Sequence, residues 1–590
     1  MMQKIERYIP YLLAALLLVL FAVQLQSVQE FVFYHREQQQ ILPWDCDQLF
    51  QRYHGVAGPS LFLAHFFTQF FFAKGAGAII TALLAVIAVF ALWHVCKRLC
   101  GNIVLFPLCA VPLAFELSNL NDEYYTYQGF VCFVLLCVFM ALHSWLAAKL
   151  SLYLRMACGA VLSIILLYLA GSVCLPFAIF VLVDDLLLRR DKWFFQLLTM
   201  ATTALALFLA YRWCLLPTTL SAYSQDLYYS MLLPVPSGIK YSWLGLIALP
   251  FVAWAISKLK MPAKAGVRLT LGLVAFLCVG ALVYGLGEKD RKNTNILLEL
   301  QHDAITEDWD GILNNPNAYS QNYLVMNYVN LALSKKHMLL THFFRYPQND
   351  VQNIMVARET TDTNVPLSFI FSFVTYQMGD MGAAQNHAHD VFECTTYGQP
   401  TMLQMLVKTN LTRGAYAVAE KYISLLEKTW RYSGWAKDMR RFLYNDAAVE
   451  ADPELGLLRK DLPADDFTTS DTFESLIKTL QTNPEDTNAR DYLIAYLFLY
   501  RDTEYTNRVV ETFWNTPALN PFPTQLQEVF MLVNGENIDY CRSRGVDEET
   551  VSRYIHFMNS LSQAERGRTN PAVTLRKEFG NTIWYQFMFN

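Results

Sequence analysis

Two pairs of carboxylates carry the clearest chemical potential in this chain. The stretch "PWDCDQLFQRYHG" holds Asp45 and Asp47, and "LSNLNDEYYTYQGF", residues 117–130, holds Asp122 and Glu123 beside Tyr124, Tyr125 and Tyr127. A carboxylate within hydrogen-bond reach of a hydroxyl can act as its general base. Adjacent carboxylates such as Asp122 and Glu123 can hold a divalent cation that neutralises a departing anion. Arg52, Lys74, Arg212 and Lys240 are the cations available for an anionic group on the same side, where they would stabilise developing phosphate charge. The tyrosines could stack on a sugar face. The ordinary reading of each feature is simpler: carboxylates in a loop at a membrane surface are usually just solvated, and interfacial tyrosines usually anchor helix ends.

The elements that must position these residues are apolar. The 590 residues are 54% hydrophobic and 14% aromatic, above the usual globular mix, and the excess lies before about residue 287. Runs of spanning length fall at about 9–28, 76–95, 102–119, 129–148, 156–171, 174–188, 194–215, 241–257 and 268–287. One set of connections carries Lys4, Arg7, Lys97, Arg98, Lys149, Arg155, Arg189, Arg190, Lys192, Lys258, Lys260, Lys264 and Arg268. The other set carries only Arg36, Arg52, Lys74, Arg212 and Lys240. That bias predicts a cytoplasmic N-terminus and a large C-terminal part outside the cytoplasm. It puts both acidic pairs on the outer side. The first span reads as a retained anchor, because "QLQSVQEF" offers no small-residue cleavage site.

The first outer loop continues into "PSLFLAHFFTQFFFAKG", too short to span after Pro59. With His65, Thr68 and Gln69 interrupting its aromatics, it reads as a helix lying in the interface with its apolar face down. Glu116, one turn from the polar loop, is expected to reach water. Asp184 and Asp185 precede Arg189 and Arg190 by about one turn, a spacing that suits intrahelical pairing at a solvated helix end.

This arrangement resembles the GT-C superfamily of membrane glycosyltransferases, on residues 1–215. The shared features are one span, an outward loop with an acidic motif ("WDCD"), a surface helix, a second acidic motif after the third span ("NDEYY"), and the hairpin "LLYLAGSVCLPFAIFVLVDDLLLRR". Cys174 stands where many relatives place a lysine. The chain is also similar to uncharacterised multi-spanning membrane proteins of Bacteroidota. The first resemblance implies sugar transfer from a polyprenyl-phosphate donor. Asp45 would then take the acceptor proton, and Asp122 and Glu123 would orient the donor phosphate through a divalent cation or a nearby Arg or Lys.

Beyond residue 287 the apolar period becomes that of short amphipathic helices. "GDMGAAQNHAHDVFE" from Gly379 and "GAYAVAEKYISLLEK" from Gly414 align at an offset of about 35 residues, close to the tetratricopeptide period. The fold class expected is therefore all-α: a polytopic domain over 1–287, followed over 288–590 by an α-solenoid of tetratricopeptide-like helix pairs, which offers a surface to a protein partner. His387 and His389, two apart, read as surface histidines. The segment "KDLPADDFTTSD", 460–471, reads as a solvated break.

Composition removes several classes. A net charge of −5 and a pI near 6.1, with no basic stripe, argue against nucleic-acid binding. No nucleotide-binding or nucleophile motif is present. Cys96, Cys100, Cys109, Cys132, Cys137, Cys158, Cys174 and Cys278 fall in or beside apolar runs, and Cys46, Cys214, Cys394 and Cys541 complete neither a disulfide framework nor a zinc pattern. Cys96 and Cys100, near His94, read as unpaired thiols at a helix end. The rival to the enzyme is a silent membrane anchor whose repeat domain scaffolds an envelope complex. A transporter ranks third, because few charges lie mid-bilayer.

Overall fold

The computed structural model describes residues 2–189, 193–213, 228–229, 233–259, 265–293, 295–356, 364–395, 398–463 and 471–589. Arg190, Lys192, Cys214, Lys260, Lys264 and most of the expected acidic break lie outside them. The chain divides into two compact units. One contains Met1–Asn295 with Lys428–Arg431, and the other contains Ile296–Glu427 with Tyr432–Asn590. Among the described residues both are helical, without a β-strand.

In the first unit seven helices are long and apolar enough to cross a membrane, and the protein is membrane-embedded. Of the remaining apolar runs, 102–119 forms the short helices Leu105–Leu108 and Val111–Asn119. The continuous apolar stretch Leu152–Leu188 folds as two helices, Leu152–Ala170 and Cys174–Leu188, joined by a 3-10 turn. Ala76–Leu99 sits between Met2–Gln38 and Tyr127–Ala147. Its buried stripe of Ala78, Ala82, Ala85 and Ala88 repeats at helical spacing, and small side chains let helices approach closely where lipid supplies no hydrophobic drive. A Cβ added at Gly77 would lie 2.5 Å from Cγ of Phe33, so this crossing demands glycine. Large apolar side chains such as Val23, Ile79, Leu83, Ile164, Phe208 and Leu277 face outward, an arrangement suited to hydrocarbon as solvent.

At one end of this unit a charged layer is buried. Asp184 and Asp185 are 1% and 2% exposed, not solvated as their spacing suggested. Asp185 does meet Arg189 at 3.6 Å, but it also meets Arg155 at 3.3 Å and accepts a hydrogen bond from Gln196 at 2.7 Å. Asp184 lies 3.4 Å from Arg98, which also donates to the carbonyl oxygen of Ser144 at 2.6 Å. Partners from three other elements, invisible to spacing along one helix, enclose the pair.

In the second unit, Val365–Gln377 with Met381–Glu393 and Pro400–Thr412 with Tyr416–Glu427 are consecutive packed helix pairs. Their turns match bond for bond. Gly379 and Gly414 have φ of +80° and +74°, which glycine adopts freely. The N–H groups of Asp380 and Ala415 reach back to the carbonyls of Thr375 and Asn410. His387 is buried against Phe371 rather than at the surface, and His389 sits beside Tyr422. Histidines two apart point to different faces, so one turns inward.

Asp461, expected in a solvated break, is 1% exposed. Its Oδ1 accepts from Asn483 at 2.7 Å. Burial, reinforced by the Asp486 carboxylate, pushes its pKa up to about 7. Between the unfolded carboxylate value and about 7 the folded chain holds a proton that the unfolded chain has released, so this group's contribution falls as pH rises through that window. Urea titration of the full-length protein in detergent is expected to show stability declining from pH 5 to pH 8 by about 2–4 kcal/mol on account of Asp461. Asp461→Asn, which keeps the acceptor for Asn483, is expected to flatten that decline. An unchanged slope in the variant would refute the assignment.

Candidate functional site

The second acidic motif lies where five elements of the first unit meet: the ends of Met2–Gln38, Val111–Asn119 and Ala265–Asn293, and the starts of Tyr127–Ala147 and Ser237–Lys258. The chain turns because the N–H groups of Asn121 and Asp122 bond to the carbonyls of Ser118 and Asn119. Oδ1 of Asp122 then accepts from the Tyr124 N–H at 3.0 Å, the local turn that aspartate favours. Its Oδ2 accepts from the Tyr229 hydroxyl at 2.9 Å, and the Thr126 N–H bonds to the carbonyl of Tyr228 at 2.9 Å.

Arg36 fixes this loop from below. Its guanidinium, 6% exposed, donates to the carbonyls of Tyr125 at 2.6 Å, Leu120 at 2.8 Å and Asp122 at 3.1 Å. Beneath it, Glu116 is 0% exposed and does not reach water. Its carboxylate accepts from Ser242 at 2.7 Å, from Asn119 at 3.3 Å and from the Tyr125 hydroxyl. The adjoining helices have closed over it and supplied the donors that water would have given. Ser118 donates to Asp290 at 2.9 Å, and Asn121 donates to the Asp290 carbonyl at 3.1 Å.

Glu123 is half-buried, and Asn295 donates to it at 3.3 Å. Burial, with a smaller repulsion from Asp122, raises its pKa against the opposing Asn295 bond. Burial and the neighbouring Glu123 raise that of Tyr124, and burial with the Asp122 bond raises that of Tyr229.

The first acidic motif has a separate set of partners. Asp45 caps the helix Cys46–Tyr53 by accepting from the Gln48 N–H at 3.1 Å. Its Oδ2 lies 2.8 Å from Nζ of Lys428, and that bond, aided by Gln48, holds its pKa below the usual carboxylate range. Lys428–Arg431 belongs to the same unit. The Trp44 N–H bonds to the Lys428 carbonyl at 2.7 Å, Arg431 meets Glu37 at 2.9 Å, and Trp430 packs on Phe70. Asp47 is exposed in the first turn of its helix. The following helix, Gly58–Thr68, forms with its polar side inward: His65 contacts the Tyr53 hydroxyl at 2.7 Å, and Thr68 accepts from Gln40 at 3.1 Å.

No hydrogen bond or ion pair joins Asp45 or Asp47 to Asp122 or Glu123 among the described residues. Arg52 donates to the Ile41 carbonyl at 3.1 Å. Lys74, Arg212 and Lys240 are exposed at helix ends, and among the described residues none of these four cations pairs with either acidic motif. No group of three or more His, Cys, Asp or Glu suited to a metal occurs among the described residues. Both Asp122 oxygens already accept protein donors, so Glu123 would be the principal ligand of any cation there. Chemically, Glu123 has the raised proton affinity of an acid–base group, whereas Asp45, held ionised by an ammonium, is a weak acceptor for a hydroxyl proton.

Arg36, Glu116, Asn119, Ser242, Tyr229, Asp290, Asn295 and Lys428 escaped sequence reasoning as site residues. Arg36 did leave a signal, an arginine ending a long apolar helix on the side poor in cations. Lys428 left none, because its partner is in another region of the chain.

No curated protein and no solved structure matches this chain. Its sequence does match a family of unknown function (DUF6057) over residues 6–590, and the chain belongs to that family.

Proposed function

We propose that the protein is a non-catalytic integral scaffold of the bacterial inner membrane, whose helical-repeat unit binds a protein partner in the envelope. In this reading the apolar runs make nine crossings, the N-terminus is cytoplasmic, and the second unit is a periplasmic solenoid. The observation that carries it is how the carboxylates are used. Asp45 caps a helix and binds Lys428, and Asp122 accepts from Tyr124 and Tyr229. Both serve the protein's own chain, through separate partners.

A second reading keeps glycosyl transfer from a polyprenyl-phosphate sugar, with a GT-C-like core and Glu123 in place of Asp45 as the base. What favours it is the raised proton affinity of half-buried Glu123 beside Tyr124. Arg36 below the loop, or a divalent cation at Glu123, would be its phosphate partner.

Glu123→Gln separates the two. A lost general base costs about 10²–10⁴ in rate, so the enzyme reading requires the host's glycan output to collapse at normal membrane level of the variant. The scaffold reading expects an unchanged glycan profile, together with a discrete envelope adduct from a photo-crosslinker at exposed Tyr319, Tyr444 or Val573. Glycan loss without an adduct would reject the scaffold.

A further inference from the structure

A continuous strip of aromatic rings runs over the first unit at the end that carries the Arg36 loop. Trp44 meets Phe66 at 6.3 Å between ring centroids, and Phe66 meets Phe62 at 6.3 Å and Phe70 at 5.5 Å. Phe70 and Phe72 then meet Trp430 at 5.2 and 6.2 Å. Phe62 and Phe66 lie one turn apart on Gly58–Thr68 and stay partly exposed, whereas His65 and Thr68 of that helix are buried. Trp430 is 59% exposed and Trp44 48%. Trp430 belongs to "LLEKTWRYSG", a charged stretch far from every apolar run of spanning length. It is seated on the strip because Pro43 and Thr429 form an antiparallel bridge and the Trp44 N–H bonds to the Lys428 carbonyl.

We propose that this strip, with Trp430 at its tip, is a lipid-binding surface seated in the headgroup and glycerol layer of the bilayer. The rings sit at that depth. Ala76–Leu99 has 24 residues, about 36 Å of helix at 1.5 Å per residue, against a hydrocarbon core of about 30 Å. Its last turn holds Lys97 and Arg98, so the far edge of the core falls close to its first turn. Phe70 and Phe72 stand just before that turn, and Ile79 and Leu83 just after it face outward. The strip therefore continues a lipid-facing surface at the level where tryptophan, with an apolar body and a polar N–H, is enriched.

The charges beside the tip are already matched. Lys428 is held by Asp45 at 2.8 Å, and Arg431 by Glu37 at 2.9 Å, with the Arg431 guanidinium also 4.4 Å from the Phe72 ring centroid. The surface is locally neutral, so burial of the rings holds it in the bilayer rather than attraction to acidic headgroups. It requires only that the unit is membrane-embedded, and it serves the scaffold and the enzyme alike.

The test uses the unaltered full-length protein in phosphatidylcholine vesicles doped with one of two photoactivatable phosphatidylcholines. One carries a diazirine at the glycerol end of its acyl chain, and the other carries it at the terminal methyl. After illumination, adducts are located by proteolysis and mass spectrometry. Trp430 and Trp44 are expected to be labelled about ten-fold more by the glycerol-end probe than by the methyl-end probe. Ile87, 50% exposed midway along Ala76–Leu99, should show the reverse preference and so reports on correct insertion. Replacing half of the phosphatidylcholine with phosphatidylglycerol should change the yield at Trp430 by less than about two-fold, because the neighbouring cations are paired. Labelling of Ile87 without any at Trp430 would mean that the strip stands off the bilayer and is left for a protein partner, which overturns the proposal. A preference of Trp430 for the methyl-end probe would overturn it, and so would a rise of about five-fold or more with phosphatidylglycerol, the mark of a surface held by charge.

Discussion

Replacing Asp185 with asparagine is expected to destabilise the first unit by about 3–5 kcal/mol, because breaking a buried ion pair from one side leaves an uncompensated charge. The partners decide how much of that is felt. Arg189 is about one-third exposed and can turn to water, but Arg155 is 6% exposed and cannot. Gln196 would lose a charged acceptor as well. The measurement is the fraction of full-length protein that remains monodisperse in detergent after heating. Pairing Asp185→Leu with Arg155→Met, which removes both buried charges, is expected to restore most of the loss, since apolar replacement of a whole buried pair is often neutral. If Asp185→Asn melts like the parent, the layer contributes no net stability. If the double variant is no better than the single, the effect belongs to packing rather than charge.

Arg36→Met is the second large effect. It keeps much of the apolar stem but strips donors from three carbonyls of one loop, at Leu120, Asp122 and Tyr125. Hydrogen bonds to a charged group contribute about 1.5–3 kcal/mol each. The three share one side chain and are not additive, so about 3–5 kcal/mol is expected in total. Arg36→Lys should rescue little, because a compact ammonium cannot reproduce the planar fork. Loosening of the loop can be read directly: in a Tyr124→Cys background, thiol labelling should quicken markedly with Arg36→Met. Labelling at the parent's rate would show that the other turn bonds suffice.

The sequence reading was strongest where a pattern repeats locally and weakest where partners come from afar. The helix pairs around Gly379 and Gly414 were legible because the turn needs a positive φ and the flanking apolar faces recur at the same offset. The apolar runs were legible because membrane thickness fixes their length. The short helix holding His65 and Thr68 was legible, but the apolar face was the one expected to be buried, and it is the polar side that turns into the protein.

Four of the misreadings share one cause. Glu116, Asp184, Asp185 and Asp461 are carboxylates, and average behaviour sends carboxylates to water. Each is buried here by donors or cations on other elements: Ser242 for Glu116, Arg98 for Asp184, Arg155 for Asp185 and Asn483 for Asp461. Spacing along a single helix reveals i+4 partners such as Arg189, and nothing about a neighbouring helix. The tie between Asp45 and Lys428 was equally hidden. It changes the chemistry of that carboxylate more than any feature of its own loop does.

The charged layer around Asp185 also bears on how the chain is made. A helix carrying two adjacent aspartates near one end is a poor substrate for insertion by itself, since each acidic residue opposes partitioning into hydrocarbon. Its neutralising arginines, Arg98 and Arg155, lie earlier in the sequence, on Ala76–Leu99 and Leu152–Ala170. A ribosome therefore delivers the cations before the anions, and Cys174–Leu188 enters a membrane in which its counter-charges already wait. Variants lacking Arg98 or Arg155 would emerge with the order intact but the receptor missing. Their fate would be decided at the insertion machinery and by membrane proteases, before any folded molecule exists to be melted.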